Sequence, residues 1–186
     1  MREKKCKVCK TSFTPLRPMQ EVCTAACAIK HSIAKRDKKR EDEAKAERKT
    51  HREAKEKAKR RSDWLKEAQT AFNAWIRLRD DNEPCISCGR HHQGQYHAGH
   101  YRSVGSNPAL RFEPMNVHKQ CAPCNNHKSG NLVEYRINLL KKVGPEKLEW
   151  LEGPHEARKY TIEELVQIKK QYTEARKALM GGRTNV

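Results

Sequence analysis

The sequence predicts an α+β fold in which two small cysteine-bound segments alternate with long helices. Three observations carry this prediction. All eight cysteines fall in four short pairs. Residues 29–61 contain neither Gly nor Pro and are dominated by Ala, Lys, Glu and Arg, all strong helix formers. Residues 85–131 mix Gly, Asn and Pro with short apolar alternation, the pattern of a hairpin and not of a helix.

Composition narrows the partners. Of 186 residues, 35% are apolar and 34% charged, so part of the chain is solvated on all sides. The net charge of +17 points to a polyanion, of which nucleic acid is the usual one. An anionic membrane surface is the rival, but no lipidation motif is present. No apolar run approaches the ~18 residues that a membrane span needs. The start, MREKKCKVCK, has charge but no apolar stretch of the secretory kind. The expected location is therefore a reducing cytoplasm, where disulfides rarely persist and paired cysteines read as metal ligands.

Residues 1–28 are expected to form an N-terminal zinc knuckle. Cys6 and Cys9 are spaced C-x-x-C, and Cys23 and Cys27 C-x-x-x-C. Two such pairs complete a closed tetrahedral Zn²⁺ site with arms of ~2.3 Å. Residues 29–61 follow as a charged helical arm of roughly 50 Å at 1.5 Å per residue. Glu41–Lys45, Glu53–Lys57 and Glu56–Arg60 are favourable i,i+4 pairs along it. It has almost no apolar face, so it serves as a solvated spacer or lies along a phosphate backbone.

Residues 62–152 are expected to hold the core. In SDWLKEAQTAFNAWIRLRD, the residues Trp64, Ala68, Ala71, Phe72, Trp75 and Ile76 recur at helical spacing, and Asp81, Asn82 and Pro84 end that helix. Cys85 and Cys88, then Cys121 and Cys124, supply a second structural Zn²⁺ site. NLVEYRINLLKKVG reads as a helix closed by Gly144. Residues 153–186 are a loop and a last helix. Thr161 and Glu164 form its capping box, Ile162, Leu165, Val166 and Tyr172 make its apolar face, and it ends near Met180 before a frayed GGRTNV.

The densest chemistry runs from Gln95 to Asn131, QYHAGHYRSVGSNPALRFEPMNVHKQCAPCNNHKSGN. A four-cysteine zinc has no open position for water, so the histidines need another purpose. The order of zinc knuckle, charged helix, C-I-S-C-G, A-G-H-Y, L-R-F, H-K-Q-C, C-N and H-K-S-G-N resembles the lambdoid phage NinG family, also called Rap. More broadly it resembles the zinc-stapled His-Asn-His (ββα-metal) nucleases typified by phage T4 endonuclease VII. The resemblance covers nearly the whole chain. It implies a ββα-metal (HNH-type) core and recombination endonuclease activity on branched DNA, Holliday junctions included, in the host bacterial cytoplasm.

The resemblance also implies roles. His100 is the general base, suited to neutral pH by an ordinary pKa near ~6.5. Asn116 orients that base and braces the hairpin. One catalytic divalent cation, Mg²⁺ or Mn²⁺, is held by His97 and Asn125, with His127 the alternative to Asn125. Arg102, Arg111, Lys119 and Lys128 surround the site and are expected to contact phosphates without reading bases. His118 is expected to pack, and His91 and His92 to be solvated. Two departures stand out: His97 replaces an Asp common in such nucleases, and Asn125 replaces a His. The site therefore has no carboxylate, and its cation should bind weakly until DNA supplies phosphate oxygens. His97 and His100, three apart, fall on opposite faces of a regular strand, so a bulge at Gly99 is needed to bring them together.

Cutting both strands of a four-way junction would suit a homodimer. A non-catalytic zinc protein that binds branched or single-stranded DNA keeps the charge and the cysteines but leaves the histidines incidental. RNA binding would call for stacking aromatics, and aromatic residues are only 6% of the chain.

Overall fold

The computed structural model describes residues 2–183 and divides the chain into two compact units that part between Ala58 and Lys59. Neither Met1 nor residues 184–186, the end of the expected frayed tail, is among them.

In the first unit, β1 (Lys4–Lys5) pairs antiparallel with β2 (Ser12–Phe13). The knuckle turns just after Cys9, where Lys10 takes a left-handed backbone at φ 63° and donates its amide to the Cys6 carbonyl. Helix α1 (Ala25–Lys57) then runs for 33 residues, with Thr24 accepting from the Cys27 amide at its start. No residue of α1 is buried, as its missing apolar face requires. Ion pairs along it include Lys39–Glu43 and Lys49–Glu53, both i,i+4.

The second unit is built around a hairpin. Helix α2 (Arg61–Arg79) precedes it. Strand β3 (Tyr96–His100) pairs antiparallel with β4 (Val117–Cys121) in an unbroken one-to-one register, from Tyr96 opposite Cys121 to His100 opposite Val117. A π-helical turn, Pro123–His127, leads to α3 (Leu132–Val143), α4 (Pro145–Glu152) and α5 (Ile162–Arg183). Short 3₁₀ turns at Pro108–Leu110 and Pro114–Asn116 shape the loop between the strands.

The hairpin is covered on both faces. On one side Phe72, Ala68 and Ile76 of α2 meet Val117, Phe112, Tyr160, Leu165 and Tyr172, with Trp64, Ala71 and Trp75 packed against them. The stripe read from the sequence is thus the core face of α2. Phe72 lies edge-on to Phe112 and Tyr172, at 5.7 and 4.8 Å between centroids. On the other side Tyr135 and Leu139 of α3 and Leu148 and Leu151 of α4 enclose Ile86, Tyr101 and Leu110. Strand β4 is buried along its whole length as a result.

The C-terminal segment departs from expectation in two ways. Thr161 and Glu164 do form the reciprocal cap, Thr161 N–H to Glu164 and Glu164 N–H to Thr161, at 2.8 and 3.2 Å. The face that packs is Leu165, Ile168 and Tyr172, against α2 and Phe112, while Ile162 and Val166 stay exposed. The helix also continues through Gly181 and Gly182. Tyr160, Leu165 and Tyr172 of this segment join the core of the second unit. Helix α4 was not legible as an element; Pro145 occupies its first turn, where a missing N–H costs nothing.

Removing the ring at the centre of this core, Phe72→Ala, is expected to destabilise the second unit by about 3–5 kcal/mol. Chemical denaturation followed by tryptophan fluorescence would report it.

Candidate functional site

The two cysteine groups come first because the hairpin hangs from one of them. Cys6, Cys9, Cys23 and Cys27 bring their sulfurs together, as do Cys85, Cys88, Cys121 and Cys124, each group within 4.8 Å. A tetrahedron with ~2.3 Å arms has edges of roughly 3.8 Å. The separations Cys9–Cys23, Cys23–Cys27 and Cys88–Cys121 are 3.4, 3.8 and 3.9 Å. Backbone amides point at the sulfurs in both groups, Val8 to Cys6 at 3.4 Å and Cys121 to Cys85 at 3.3 Å. Burial first, and then the facing thiols of Cys85 and Cys124, push Cys121 up to about 12. Four thiolates this close need a cation to hold them, and both donor sets fit structural Zn²⁺.

His92 is not simply solvated. Its Nε2 lies 3.2 Å from Cys88 Sγ, and its backbone amide donates to the Tyr96 hydroxyl at 2.6 Å. It braces the outer side of this cysteine group, as partners of metal ligands commonly do.

The unbroken hairpin register decides where the histidines go. No bulge occurs at Gly99, so His97 and His100 project from opposite faces. His97 is therefore not brought to His100 and Asn125, and the expected His97–Asn125 ligand pair does not assemble. The physical reason is Gln120, fully buried, which bonds Ser87 Oγ and the Gly130 carbonyl. A Cβ on residue 99 would sit 2.1 Å from its Oε1. Gly99 is there to admit Gln120, not to bend the strand.

His100 lines an open cleft of about 560 Å³ together with Arg102, Ser103, Ser106, Asn125 and Ser129. Its Nε2 donates to the Arg111 carbonyl at 3.0 Å, which leaves Nδ1 as the nitrogen with the lone pair. Burial lowers its pKa, with the hydrogen bond to Arg111 opposing, which favours the neutral ring. Asn116, completely buried, accepts from the Arg102 amide at 2.8 Å and donates to the Arg102 and Leu110 carbonyls at 3.0 and 3.1 Å. Its amide thus clamps both ends of the loop that leaves β3 next to His100.

Asn125 lies on the π turn and reaches the cleft; its Nδ2 donates to Asn126 at 2.8 Å, leaving Oδ1 as its ligand atom. His127 is exposed and is not among the cleft residues. No carboxylate lines the cleft.

The four expected phosphate contacts divide. Arg102 lines the cleft. Arg111 turns its guanidinium to Gln69 at 3.2 Å and serves the site through its carbonyl. Lys128 is exposed but beside the cysteine group. Lys119 is turned away from any phosphate: it is buried, its ammonium donates to the Asp81 carbonyl at 2.6 Å, and it sits over the Tyr96 ring. Helices on both faces bury β4, so a lysine there is structural.

Several supports lie outside the sequence motifs. Arg79 pairs with Asp80 at 2.6 Å and donates to the Pro114 and Val117 carbonyls. Tyr135 donates to the Gly99 carbonyl at 2.9 Å and receives the His118 Nδ1–H at 3.3 Å. Polar residues next to helix and strand ends look solvated in a sequence, and only the packing reveals them as braces.

These features define an α+β protein with two tetracysteine centres and a polar cleft built on a helix-covered hairpin. The family model described as Bacteriophage Lambda NinG protein matches residues 1–181, and the chain belongs to that NinG family. Protein ninG of Escherichia phage 933W is 44% identical over 97% of this chain and 96% of its own length. Protein ninG of Escherichia phage lambda is 45% identical over 95% of this chain and 92% of its own, and that of Salmonella phage P22 is 44% identical over the same shares. No solved structure matches. No helix of the described residues is long and apolar enough to cross a membrane.

Burial first, and the Arg79 cation second, push the buried His118 down to about 3. An unfolded histidine titrates near ~6.5. Between these values the unfolded chain binds a proton that the folded chain refuses, so stability is full above ~6.5 and is lost as pH falls toward 3. This loss is up to about 1.4 kcal/mol per pH unit. His118→Gln is expected to flatten the acid slope of stability, read by denaturation at pH 7, 6 and 5.

Proposed function

We propose that the chain is a divalent-metal-dependent, structure-selective DNA endonuclease that acts on branched recombination intermediates. One observation carries this reading: the His100 ring has its Nε2 tied to the Arg111 carbonyl, on the same cleft as Arg102 and Asn125.

In this reading Nδ1 of His100 takes a proton from the attacking water. The Nε2–H bond to Arg111 fixes the tautomer and steadies the imidazolium as it forms. Asn116 holds the loop whose position sets the direction of His100. Arg102 neutralises the scissile phosphate, and its Nε is buried with no hydrogen-bond partner in the protein. Asn125 Oδ1 is the protein ligand for Mg²⁺ or Mn²⁺, which when bound supplies Lewis-acid stabilisation of the leaving oxygen. With a single neutral oxygen ligand and no carboxylate, cation affinity is low until substrate phosphate joins. The net charge of +17 supplies affinity for the backbone. The NinG family membership supports the same reading through the resemblance of its motifs to zinc-stapled His-Asn-His nucleases.

The lack of a carboxylate in the cleft favours one rival, a branched-DNA-binding protein without catalysis. The two part in a single assay. Zinc-loaded protein is incubated with a labelled four-way junction and Mn²⁺ or Mg²⁺. The proposal expects cleavage, and at least ~100-fold less with His100→Ala at unchanged DNA affinity. Parent-rate cleavage by the variant would remove His100 as base, and binding without any cleavage would favour the rival.

A further inference from the structure

The first unit carries a feature the cleft does not use. Its loop between the two cysteine pairs presents Leu16 and Met19 to solvent at 85% and 89% exposure. This is not a loose loop. The Leu16 amide donates to Gln20 Oε1 at 2.8 Å, the Gln20 amide donates to the Arg17 carbonyl at 3.0 Å, and Gln20 Nε2 donates to the Val22 carbonyl at 2.9 Å. Lys4 donates to the Pro18 carbonyl at 2.5 Å, and Pro15 is buried beneath. A turn fastened at four points holds two large apolar side chains outward, where they contribute nothing to the core.

What surrounds them names the partner. Lys4, Lys5, Lys10 and Arg17 are exposed on the same small knuckle. The apolar pair overlooks an open groove of about 710 Å³, floored by Val22, Ala25 and Ala28 at the start of α1. An exposed apolar pair with Arg17 in its groove, on a knuckle that also exposes Lys4, Lys5 and Lys10, fits disrupted base stacks, where Leu and Met side chains enter between bases and the cations meet the flanking phosphates.

We infer that the N-terminal knuckle is a second DNA-contacting site, whose Leu16–Met19 wedge engages unstacked bases at a branch point. This deepens the branched-DNA reading and rests on it. It places the sensing of structure on the first unit and leaves the chemistry to the second.

The test uses the full zinc-loaded chain without added divalent cation. The probes are a four-way junction with 2-aminopurine at its branch and a linear duplex of the same sequence. Leu16→Ser with Met19→Ser changes exposed residues, and retention of zinc confirms folding. The expected result is at least about tenfold weaker junction binding, little change on duplex, and loss of the 2-aminopurine fluorescence response. Unchanged junction binding and fluorescence would overturn the inference, and so would an equal loss on both DNAs. A shift in particle mass by light scattering, with DNA binding intact, would assign the pair to contact between copies and overturn it too. A parent protein that binds the junction through this wedge yet never cuts it with Mn²⁺ refutes the nuclease proposal alone.

Discussion

The tetracysteine centre of Cys85, Cys88, Cys121 and Cys124 is the constraint on which the second unit depends. Its hairpin has only five residues in each strand, too few for independent stability in water. Cys121 ends β4, and its amide bonds Cys85 Sγ. The Ile86 amide donates to the Lys119 carbonyl, so the knuckle and the strand are locked at one register. Metal binding to four thiolates is folding free energy for such a unit. A slip of one residue would send His100 and Val117 to the wrong faces.

Around that staple, buried polar groups carry the register outward. Gln120 joins β4 to Ser87 and Gly130, Tyr135 joins α3 to β3 through the Gly99 carbonyl, and Asn116 ties off the loop beyond His100. Each such bond matters because its loss would leave a buried polar atom unpaired. The result is a stiff support under a cleft whose own lining is polar and open. The first unit has no comparable core: α1 buries nothing, and the knuckle stands on its cysteines.

What the sequence made legible was local. Cysteine spacing and the α2 stripe depend on neighbours a few residues apart, and the Thr161–Glu164 cap likewise. Asn116 and Asn125 were reachable only through family resemblance, since an asparagine in a loop has no periodicity. What escaped needed tertiary knowledge. The resemblance sets His97 beside His100, which needs a bulge at Gly99, whereas Gly99 makes room for Gln120. Lys119 is expected at phosphate because it lies beside the site in sequence, and only the helices on both sides reveal it as buried. Arg79 carries no sequence signal of its bridge to Pro114 and Val117.

The central physical claim is that the folded hairpin presents His100 as a neutral base with its proton on Nε2. Nitrogen-15 NMR of histidine-labelled, zinc-loaded protein reads both ring nitrogens directly at pH 7. The account predicts a neutral His100 with Nε2 protonated and Nδ1 bare. A charged ring, or a proton on Nδ1, would contradict it.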